Sequence, residues 1–519
     1  MNLTVGSISV AGAANVPDGV AATLGEERVT FAGHLDASYR MATVLTSVGL
    51  QHGDRAALWS EMSLSSLAVF TGAALLGAVF APLNPRFSRA EALANVAYLR
   101  PRLIIADPAH IEDARAIGDE LAVEVSVTEG GGDHVGPGLD ELGAAASPTP
   151  PQVRVHEHDL HAIYLTSGST GLPKGVMLSH RASWLRSSAG GGTRAVGGAD
   201  GGVVSMFPLF HWAGWHTITE AWQRRTAVHL VSSPTAEALL AAVERHRAAS
   251  MYCIPAVWSR ILDVPSERYD TSTLRSADTG TSALPPGLLD RLAERFPQAT
   301  TAIGYGSTEA GSTANLLASA WTTRPGSVGR AAPSCTVRIS PAGEIEVQAV
   351  AMMDGYFDRE DETRHVLRDG WYSTGDRGVL DADGYLSISG RIGELIRTAA
   401  EWVSPTEVES ALAGLPGIRE LAVVGVADPD WGEKIWVVVV PGCIRDVPPI
   451  DEVRALLTGR LAPHKHPRAL ATIARLPRTP ATGQVRRSVL ASLISERQPP
   501  IARDGPIRLD EAGEEGAEP

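Results

Sequence analysis

The chain has 519 residues, of which 44% are hydrophobic and 20% are charged, so it carries enough apolar side chains for several buried cores. This length and composition exclude a single small module and a chain that is disordered throughout. The 45 basic and 59 acidic residues give a net charge of -14. That balance argues against a nucleic-acid partner and against a polybasic membrane-binding surface.

The three cysteines, Cys253, Cys335 and Cys443, are odd in number and far apart in the chain. They predict neither a disulfide framework nor a paired-cysteine metal site. The first residues of the chain lack the basic segment and the long apolar run of a signal peptide. We therefore expect a cytoplasmic protein.

An uncharged stretch over residues 62–85 is long enough on paper to cross a bilayer. Serine, threonine and glycine interrupt it, and it ends in Pro-Leu-Asn-Pro. This pattern favours a buried helix that leads into a buried strand, so no membrane span is expected.

Helical segments then alternate with short runs of Val, Ile and Leu, for example at residues 103–107, 228–231 and 250–255. Such alternation predicts βα units whose parallel strands are buried on both faces. After residue 376 the pattern changes to turns and strands of period two, as in residues 384–390. We expect a smaller, separate domain to follow.

In that distal region, Ser404 can cap a helix whose first residue is Pro405. Two apolar strands are predicted at residues 421–426 and 435–440. From residue 499 onward the chain has six acidic residues and two arginines, with few large apolar side chains. This composition predicts a disordered acidic tail over residues 499–519.

The strongest local pattern is at residues 164–175, Tyr-Leu-Thr-Ser-Gly-Ser-Thr-Gly-Leu-Pro-Lys-Gly. An apolar strand is followed by hydroxyls, glycines and one lysine. Exposed backbone N–H groups, hydroxyls and a cationic side chain are the groups that bind polyphosphate oxygens. The segment is not a Walker A loop, because no Gly-Lys-Ser/Thr occurs in it. It predicts a phosphate-binding loop.

This segment resembles the phosphate loop of the adenylate-forming superfamily, which includes acyl-CoA synthetases, peptide-synthetase adenylation domains and luciferases. Four later segments resemble that family's motifs in the same order. They are residues 304–309 (Gly-Tyr-Gly-Ser-Thr-Glu), 370–376 (Gly-Trp-Tyr-Ser-Thr-Gly-Asp), Gly390 with Arg391, and 424–433. The resemblance therefore extends over most of the chain.

The resemblance implies that ATP is bound with Mg²⁺, and that Glu309 is the metal ligand. Tyr305 would stack on adenine, and Asp376 and Arg391 would bind the ribose. The phosphates would be held by Thr166, Ser167, Gly168, Ser169, Thr170, Gly171 and Lys174. The nucleotide site would be completed by Gly280, Thr281, Ser282, Gly304, Gly306 and Thr308. Thr166, Lys174, Glu309 and residue 484 would act in catalysis.

Residues 207–215, Phe-Pro-Leu-Phe-His-Trp-Ala-Gly-Trp, resemble the family segment whose histidine lies beside the acyl-binding pocket. His211, Trp212 and Trp215 are thus expected to line a narrow, apolar pocket for a planar or aliphatic acid. A buried structural role for His211 remains the alternative.

Two departures from the family pattern fall in the distal region. The family has a catalytic lysine where this chain has Gln484, which donates a hydrogen bond but carries no charge; Arg486 and Arg487 are candidate substitutes. After a hinge expected at Gly393, the family's Gly-Gly run, which lines the passage for CoA, is replaced by Ala399 and Ala400. These departures place both the adenylation chemistry and the use of CoA in question.

Three hypotheses follow. The first is an AMP-forming ligase that activates a carboxylic acid as an acyl-adenylate and transfers the acyl group to CoA. The second is a diazotase-like or amine-acylating variant, which activates nitrite or an acid and passes it to an amine without CoA. The third is a nucleotide-binding homologue without catalytic activity. The partner is accordingly a small-molecule acid, or nitrite plus an amine, and a homodimer is left open.

The fold that the resemblance implies is α/β. Residues 1–390 would form a large N-terminal AMP-binding domain of several layered subdomains. Residues 391–498 would form a small, mobile C-terminal α+β lid, with the active site at the junction.

Overall fold

In the computed structural model, the described residues are 2–129, 137–166, 173–189, 201–282, 284–285, 287–398, 401–443, 447–479, 483–497 and 507–509. All structural statements below concern these residues. Three β-sheets organise them, two within the first 391 residues and one after residue 395.

The first sheet mixes parallel strands at one end with antiparallel strands at the other. In spatial order its strands are β16 (Cys335–Ile339), β17 (Glu344–Ala349), β20 (Trp371–Leu380), β21 (Leu386–Arg391), β15 (Ser327–Ala331), β14 (Gly311–Leu317), β13 (Ala302–Ser307), β12 (Ser276–Gly280), β11 (Ser250–Tyr252), β9 (Val203–Ser205), β10 (Val228–Leu230), β1 (Val20–Leu24) and β2 (Glu27–Thr30), with β19 (Leu367–Arg368) paired to β20.

The second sheet is mostly parallel. Its strands are β18 (Gly355–Tyr356), β8 (Lys174–Ser179), β7 (Leu160–Thr166), β4 (Val79–Pro82), β3 (Arg55–Trp59), β5 (Leu103–Ala106) and β6 (Glu124–Val127). The third, distal sheet contains β23 (Glu401–Val403), β22 (Ile396–Thr398), β25 (Gly432–Pro441), β26 (Ala469–Thr472) and β27 (Ile507–Arg508), with β24 (Ile418–Asp428) paired to β25.

Helices cover these sheets. Those in the described residues are α1 (Val5–Asn15), α2 (Phe31–Ser47), α3 (Leu64–Leu76), α4 (Arg89–Leu99), α5 (Ile111–Leu121), α6 (Leu139–Ala145), α7 (His180–Ala189), α8 (Trp212–Gln223), α9 (Ala236–His246), α10 (Pro255–Leu262), α11 (Leu288–Arg295), α12 (Glu360–Val366), α13 (Pro405–Ala411), α14 (Ile450–Leu457) and α15 (Arg487–Arg497). The predicted α/β class, with a large first part and a small distal part, is confirmed.

The uncharged stretch forms α3 and then β4, as predicted, and both are buried between other layers. Phe70 of α3 packs in the same core as Leu230 of the first sheet and Phe80 of the second, so this core joins the two large sheets. Within the part of the chain that the structure describes, no helix is long and apolar enough to cross a membrane.

One local prediction in the distal region needs correction. Pro405 does begin α13, but the Ser404 hydroxyl bonds the Thr406 hydroxyl at 2.8 Å and does not cap a main-chain N–H. In the segment predicted to be a disordered tail, Ile507–Arg508 pairs in parallel with β26, and Leu509 is buried in the distal core. Disorder of the tail stays a prediction. The other residues from 498 onward lie outside the description.

Candidate active site

The predicted phosphate loop connects two antiparallel strands of the second sheet. Thr166 ends β7 and Lys174 begins β8, and the two residues pair across the hairpin. The Thr166 hydroxyl donates to the carbonyl oxygen of Lys174 at 3.3 Å. The sheet therefore holds the two ends of the loop together, where both can contact one ligand. The loop residues Ser167, Gly168, Ser169, Thr170 and Gly171 lie outside the described residues.

Tyr356 links the lysine to the glutamate predicted to bind the metal. Its hydroxyl donates to Glu309 Oε1 at 2.9 Å, and Lys174 Nζ lies 5.0 Å from the centroid of its ring. Burial, followed by the charge of Glu309, raises the pKa of Tyr356 above its ordinary range, so the phenol remains a neutral donor. Tyr356 thereby contacts Lys174 through its ring and Glu309 through its hydroxyl.

Arg186 holds the main chain on the other side of Glu309. Its guanidinium donates to the carbonyl oxygens of Thr308 and Glu309 at 2.7 and 2.8 Å. Sequence reasoning selected neither Arg186 nor Tyr356. A glycine precedes Tyr356, but this pair alone does not predict a functional residue. Arg186 is one basic residue in a helix of mixed composition, and no sequence pattern marks it.

Asp376 and Arg391 are neighbours on paired strands, β20 and β21. Arg391 Nε lies 2.8 Å from Asp376 Oδ1, and the Tyr305 hydroxyl donates to Asp376 Oδ2 at 2.6 Å. Burial, then the charge and hydrogen bond of Asp376, raises the pKa of Tyr305, so its phenol also stays protonated. Tyr305 lies on β13, and Glu309 follows that strand by two residues, which places the two groups in one region.

The loop predicted to border adenine follows β12. Gly280 and Gly304 are paired on adjacent parallel strands. A side chain at Gly280 would overlap the carbonyl oxygen of Gly304 and the hydroxyl of Tyr252. Thr281 has a positive φ of 69° and is half-buried, and Ser282 is exposed. The backbone at Gly280 is thus kept bare of side-chain atoms beside the strand that carries Tyr305.

The distal region reaches this loop through Gln484. Its Nε2 donates to the carbonyl oxygen of Thr281 at 2.9 Å. Of the two arginines considered as substitutes for the family lysine, Arg487 instead forms ion pairs with Glu394 and Glu409, at 2.8 and 2.9 Å. Arg487 is committed to the distal region, and Arg486 is exposed. Gln484, whose amide is neutral, is therefore the residue of this segment that contacts Thr281.

An open cleft adjoins the residues predicted to bind the nucleotide. Thr281, Gly304, Tyr305 and Gly306 form one side of it. The other lining residues are Phe207, Trp212, Ala213, His216, Thr217, Tyr252, Asp278, Ala302, Ser312 and Asn315. Phe207, Trp212 and Tyr252 give this part of the cleft aromatic walls that suit a planar molecule, beside polar residues such as Asp278 and Asn315.

The three residues predicted to line the acid pocket have different positions. Trp212 lines the cleft. His211 is half-buried, and its Nδ1 accepts a hydrogen bond from Ala213 N at 3.2 Å, which caps α8. Burial lowers its pKa to about 4, so the imidazole is neutral near pH 7. Trp215 is buried and stacked on Phe70, with ring centroids 3.9 Å apart, and is not part of the cleft wall.

The passage expected for CoA begins after a short 3₁₀ turn, Ile392–Glu394, that contains Gly393. An added Cβ at Gly393 would meet nothing within 4 Å. Thr398 is buried and pairs with Glu401 in a two-strand hairpin, and Ala399 and Ala400 between them are outside the description.

Two family models match the chain. Residues 10–357 match the AMP-binding enzyme model, and residues 407–482 match the model of the AMP-binding enzyme C-terminal domain. An indoleacetate–CoA ligase of Aromatoleum aromaticum is 33% identical over 477 residues, which covers 88% of this chain and 92% of the relative. A feruloyl-CoA synthase of Amycolatopsis is 32% identical and covers 94% of this chain and 99% of the relative.

Solved structures agree with this relationship. ATP-bound MatB from Rhodopseudomonas palustris superposes with a TM-score of 0.86 at 26% identity and covers 96% of this chain and 99% of its own. The amide bond synthetase McbA from Marinactinospora thermotolerans gives a TM-score of 0.83 at 26% identity, over 94% and 99% of the two chains. The predicted membership is confirmed, and the chain belongs to the AMP-binding enzyme family.

Proposed function

We propose that the protein is an AMP-forming ligase that activates a carboxylic acid with ATP and transfers the acyl group to CoA. The observation that carries the proposal is the convergence of Lys174, Glu309, Tyr305, Asp376 and Arg391, of which Tyr305 lines the adjoining cleft. These residues come from four separate segments of the chain, and cations, a carboxylate pair and an aromatic ring are the groups that a nucleotide with an acid substrate requires. CoA ligases among the relatives support the same reaction.

In this proposal Thr166 and Lys174 bind the phosphates of ATP, and Asp376 accepts hydrogen bonds from the ribose. Each carboxylate oxygen has two lone pairs, so Asp376 can retain Tyr305 and Arg391 while it binds the sugar. Tyr305 contributes its ring to the adenine site. Glu309 supplies a hard oxygen ligand of the kind that Mg²⁺ prefers. The metal would supply charge neutralisation at the phosphates.

The proposed reaction has two steps, adenylation of the acid and transfer of the acyl group to CoA. An oxygen of the acid forms a bond to the α-phosphorus of ATP as the bond to the β-phosphate oxygen breaks, and pyrophosphate leaves. The CoA sulfur then bonds to the acyl carbon, AMP leaves, and the thiol proton passes to solvent. In this proposal the charge of Lys174 stabilises the leaving pyrophosphate.

We propose a planar, aromatic acid as the substrate class. Phe207, Trp212 and Tyr252 contribute aromatic walls to the cleft, and Gly304 and Gly306 also line it. Two of the relatives are named for indoleacetate and for the feruloyl group, both of which are aromatic. A flat ring can pack against these walls with favourable burial.

A second candidate is transfer to an amine without CoA, or activation of nitrite. Gln484 favours it, because the amide bound to Thr281 brings no positive charge to the reacting phosphate. McbA, which shares the fold, is named as an amide bond synthetase. The chain also has Ala399 and Ala400 where the family has a Gly-Gly run, and this replacement points the same way.

The deciding experiment measures AMP release from ATP with a panel of aromatic and aliphatic acids and with nitrite, each with and without CoA. The CoA ligase predicts acid-dependent AMP and an acyl-CoA product in the mass spectrum. An amide or a diazonium product with no need for CoA would select the second candidate. ATP binding without any AMP release would leave only a nucleotide-binding function and contradict both.

We further propose a division of the chain near residue 391, with the lid beginning there. The third sheet starts at Ile396, and the contact of Gln484 with Thr281 brings the two parts together at the site. We also propose a cytoplasmic location, because the cysteines are free and one of them, Cys443, is exposed.

A further inference from the structure

Arg186 is a buried cation in the middle of the proposed site. It lies on α7, and only 6% of its surface is exposed. The guanidinium donates through Nε to Ala351 O at 2.8 Å, through Nη1 to Thr308 O at 2.7 Å and through Nη2 to Glu309 O at 2.8 Å. One rigid, planar group therefore fixes three carbonyl groups, two of them at the metal-binding segment.

Burial of this charge requires compensation. Burial lowers the pKa of Arg186 to about 10, and the negative charge of Glu309 acts in the opposite direction, so the guanidinium stays charged near pH 7. A buried charge placed for fold stability alone would be an expensive choice, since an apolar side chain of similar size often serves as well. Its contact with the main chain of Glu309 indicates that Arg186 is buried there for its role in the site.

The carboxylate and the main chain of Glu309 are held by different partners. Tyr356 donates to the carboxylate, and Met353 N donates to the Glu309 carbonyl oxygen at 2.7 Å. Arg186 Nη2 bonds that same carbonyl oxygen. The backbone that aims the Glu309 side chain is thus fixed from two directions, one from a neighbouring segment and one from α7.

We propose that Arg186 is a positioning residue that orients Glu309 for Mg²⁺. This inference rests on the proposed function only in assigning Glu309 to the metal of Mg–ATP. Arg186 does not touch the nucleotide in this account. It acts through the backbone at residues 308–309, as groups behind a metal ligand commonly do.

The same guanidinium also contacts the wall of the acid cleft. Its Cζ lies 5.5 Å from the ring centroid of Trp212, which lines that cleft. Arg186 therefore lies between Trp212 of the cleft and the main chain of Glu309. A substitution at residue 186 is expected to affect both.

The test uses the full chain and isothermal calorimetry with ATP, once with Mg²⁺ and once with EDTA. The measured quantity is the ratio of the two dissociation constants. We expect Arg186→Met to reduce the gain in affinity from Mg²⁺ about tenfold, with little change in EDTA. Arg186→Lys keeps the charge but cannot span three carbonyls, so an intermediate loss is expected. Arg181→Met is the matched control, since Arg181 is on the same helix and pairs with Glu157 instead.

A double-mutant cycle separates positioning from general stability. If Arg186 acts through Glu309, Arg186→Lys has no further effect on the ratio in a Glu309→Gln background. Should Arg186→Met fail to fold, Arg186→Lys and this cycle carry the test. An unchanged ratio in Arg186→Lys, with only a lower melting temperature, would overturn the inference. Because no acid or CoA is present, a failure of the proposed ligase activity would appear separately, as absent AMP release by the wild-type protein.

Discussion

At the scale of single residues, Tyr356 is the contact on which the Lys174–Glu309 arrangement depends. Tyr356→Phe removes the hydroxyl that donates to Glu309 but keeps the ring beside Lys174. We expect acid-dependent AMP release to fall on the order of tenfold, because the carboxylate loses one of its fixed partners. Tyr385→Phe is the control, since Tyr385 contacts Arg324 and Arg330 far along the sheet. Equal rates for wild type and Tyr356→Phe would show that the hydroxyl does not position Glu309.

Gln484 raises a separate question at the same scale, because it stands where the family has a catalytic lysine. Gln484→Lys would place an ammonium group beside Thr281, where it can reach charge that develops at the α-phosphate. We expect the carboxylate-dependent exchange of pyrophosphate into ATP to rise tenfold or more, given that one such interaction typically contributes about 10²–10³ in rate. An unchanged or lower rate would indicate that this chain uses another cation or another chemistry.

At the scale of elements, the approach of β12 to β13 leaves no room for a side chain at Gly280. Gly280→Ala would force its Cβ onto the Gly304 carbonyl, so we expect a loss of about 3 kcal/mol in the free energy of unfolding, together with weaker ATP binding. Denaturant titration and calorimetry measure the two effects. Gly393→Ala is the matched control, because an added methyl there meets nothing within 4 Å. Equal stability of the two variants would contradict the close approach.

The elements also show which features could be predicted from sequence. The alternation of apolar runs with helical segments identified the parallel strands, since strands buried on both faces require continuous Val, Ile and Leu. The glycine- and hydroxyl-rich segment after Thr166 could be predicted as a phosphate loop because glycine N–H groups and hydroxyls are themselves the groups that bind phosphate. In contrast, the role of Trp215 in the acid pocket stays a prediction, and its ring stacks on Phe70 in the core. Composition does not reveal which face of α8 is turned to the cleft.

Long-range contacts were the part that sequence could not supply. Arg186 and Glu309 are 123 positions apart, and only the packing of α7 on the turn after β13 brings them together. No local pattern distinguishes the buried Arg186 from Arg181, the more exposed arginine on the same helix. The ion pairs of Arg487 with Glu394 and Glu409 were missed for the same reason, and they remove it as a substitute for the family lysine.

At the scale of the whole molecule, buried histidines predict how stability varies with pH. Burial lowers the pKa of three histidines from 6.5 to about 4; they are His34, His180 and His229. At pH 5 these groups are neutral in the folded protein and protonated in the unfolded chain. Stability is therefore undiminished above pH 6.5 and falls as the pH drops toward 4, by about 2 kcal/mol for each histidine at pH 5.

His34 isolates one of these contributions. Its Nε2 bonds the Thr71 hydroxyl at 3.0 Å, a contact that a glutamine amide can replace. In His34→Gln the difference in unfolding free energy between pH 7 and pH 5 should shrink by about 2 kcal/mol. His158→Gln is the control, because the His158 side chain is 78% exposed. The expectation fails if both variants keep the full wild-type difference.

The most direct test of the whole account is the formation of AMP from ATP by wild type and by Lys174→Ala, with and without an aromatic acid. We predict acid-dependent AMP from the wild-type protein and at least a hundredfold loss in Lys174→Ala, on the order of the effect of removing a charge stabiliser from a reacting phosphate. Circular dichroism should show the same fold for both. AMP formation at equal rates in the two proteins, or none from the wild type with any acid or with nitrite, would contradict the account.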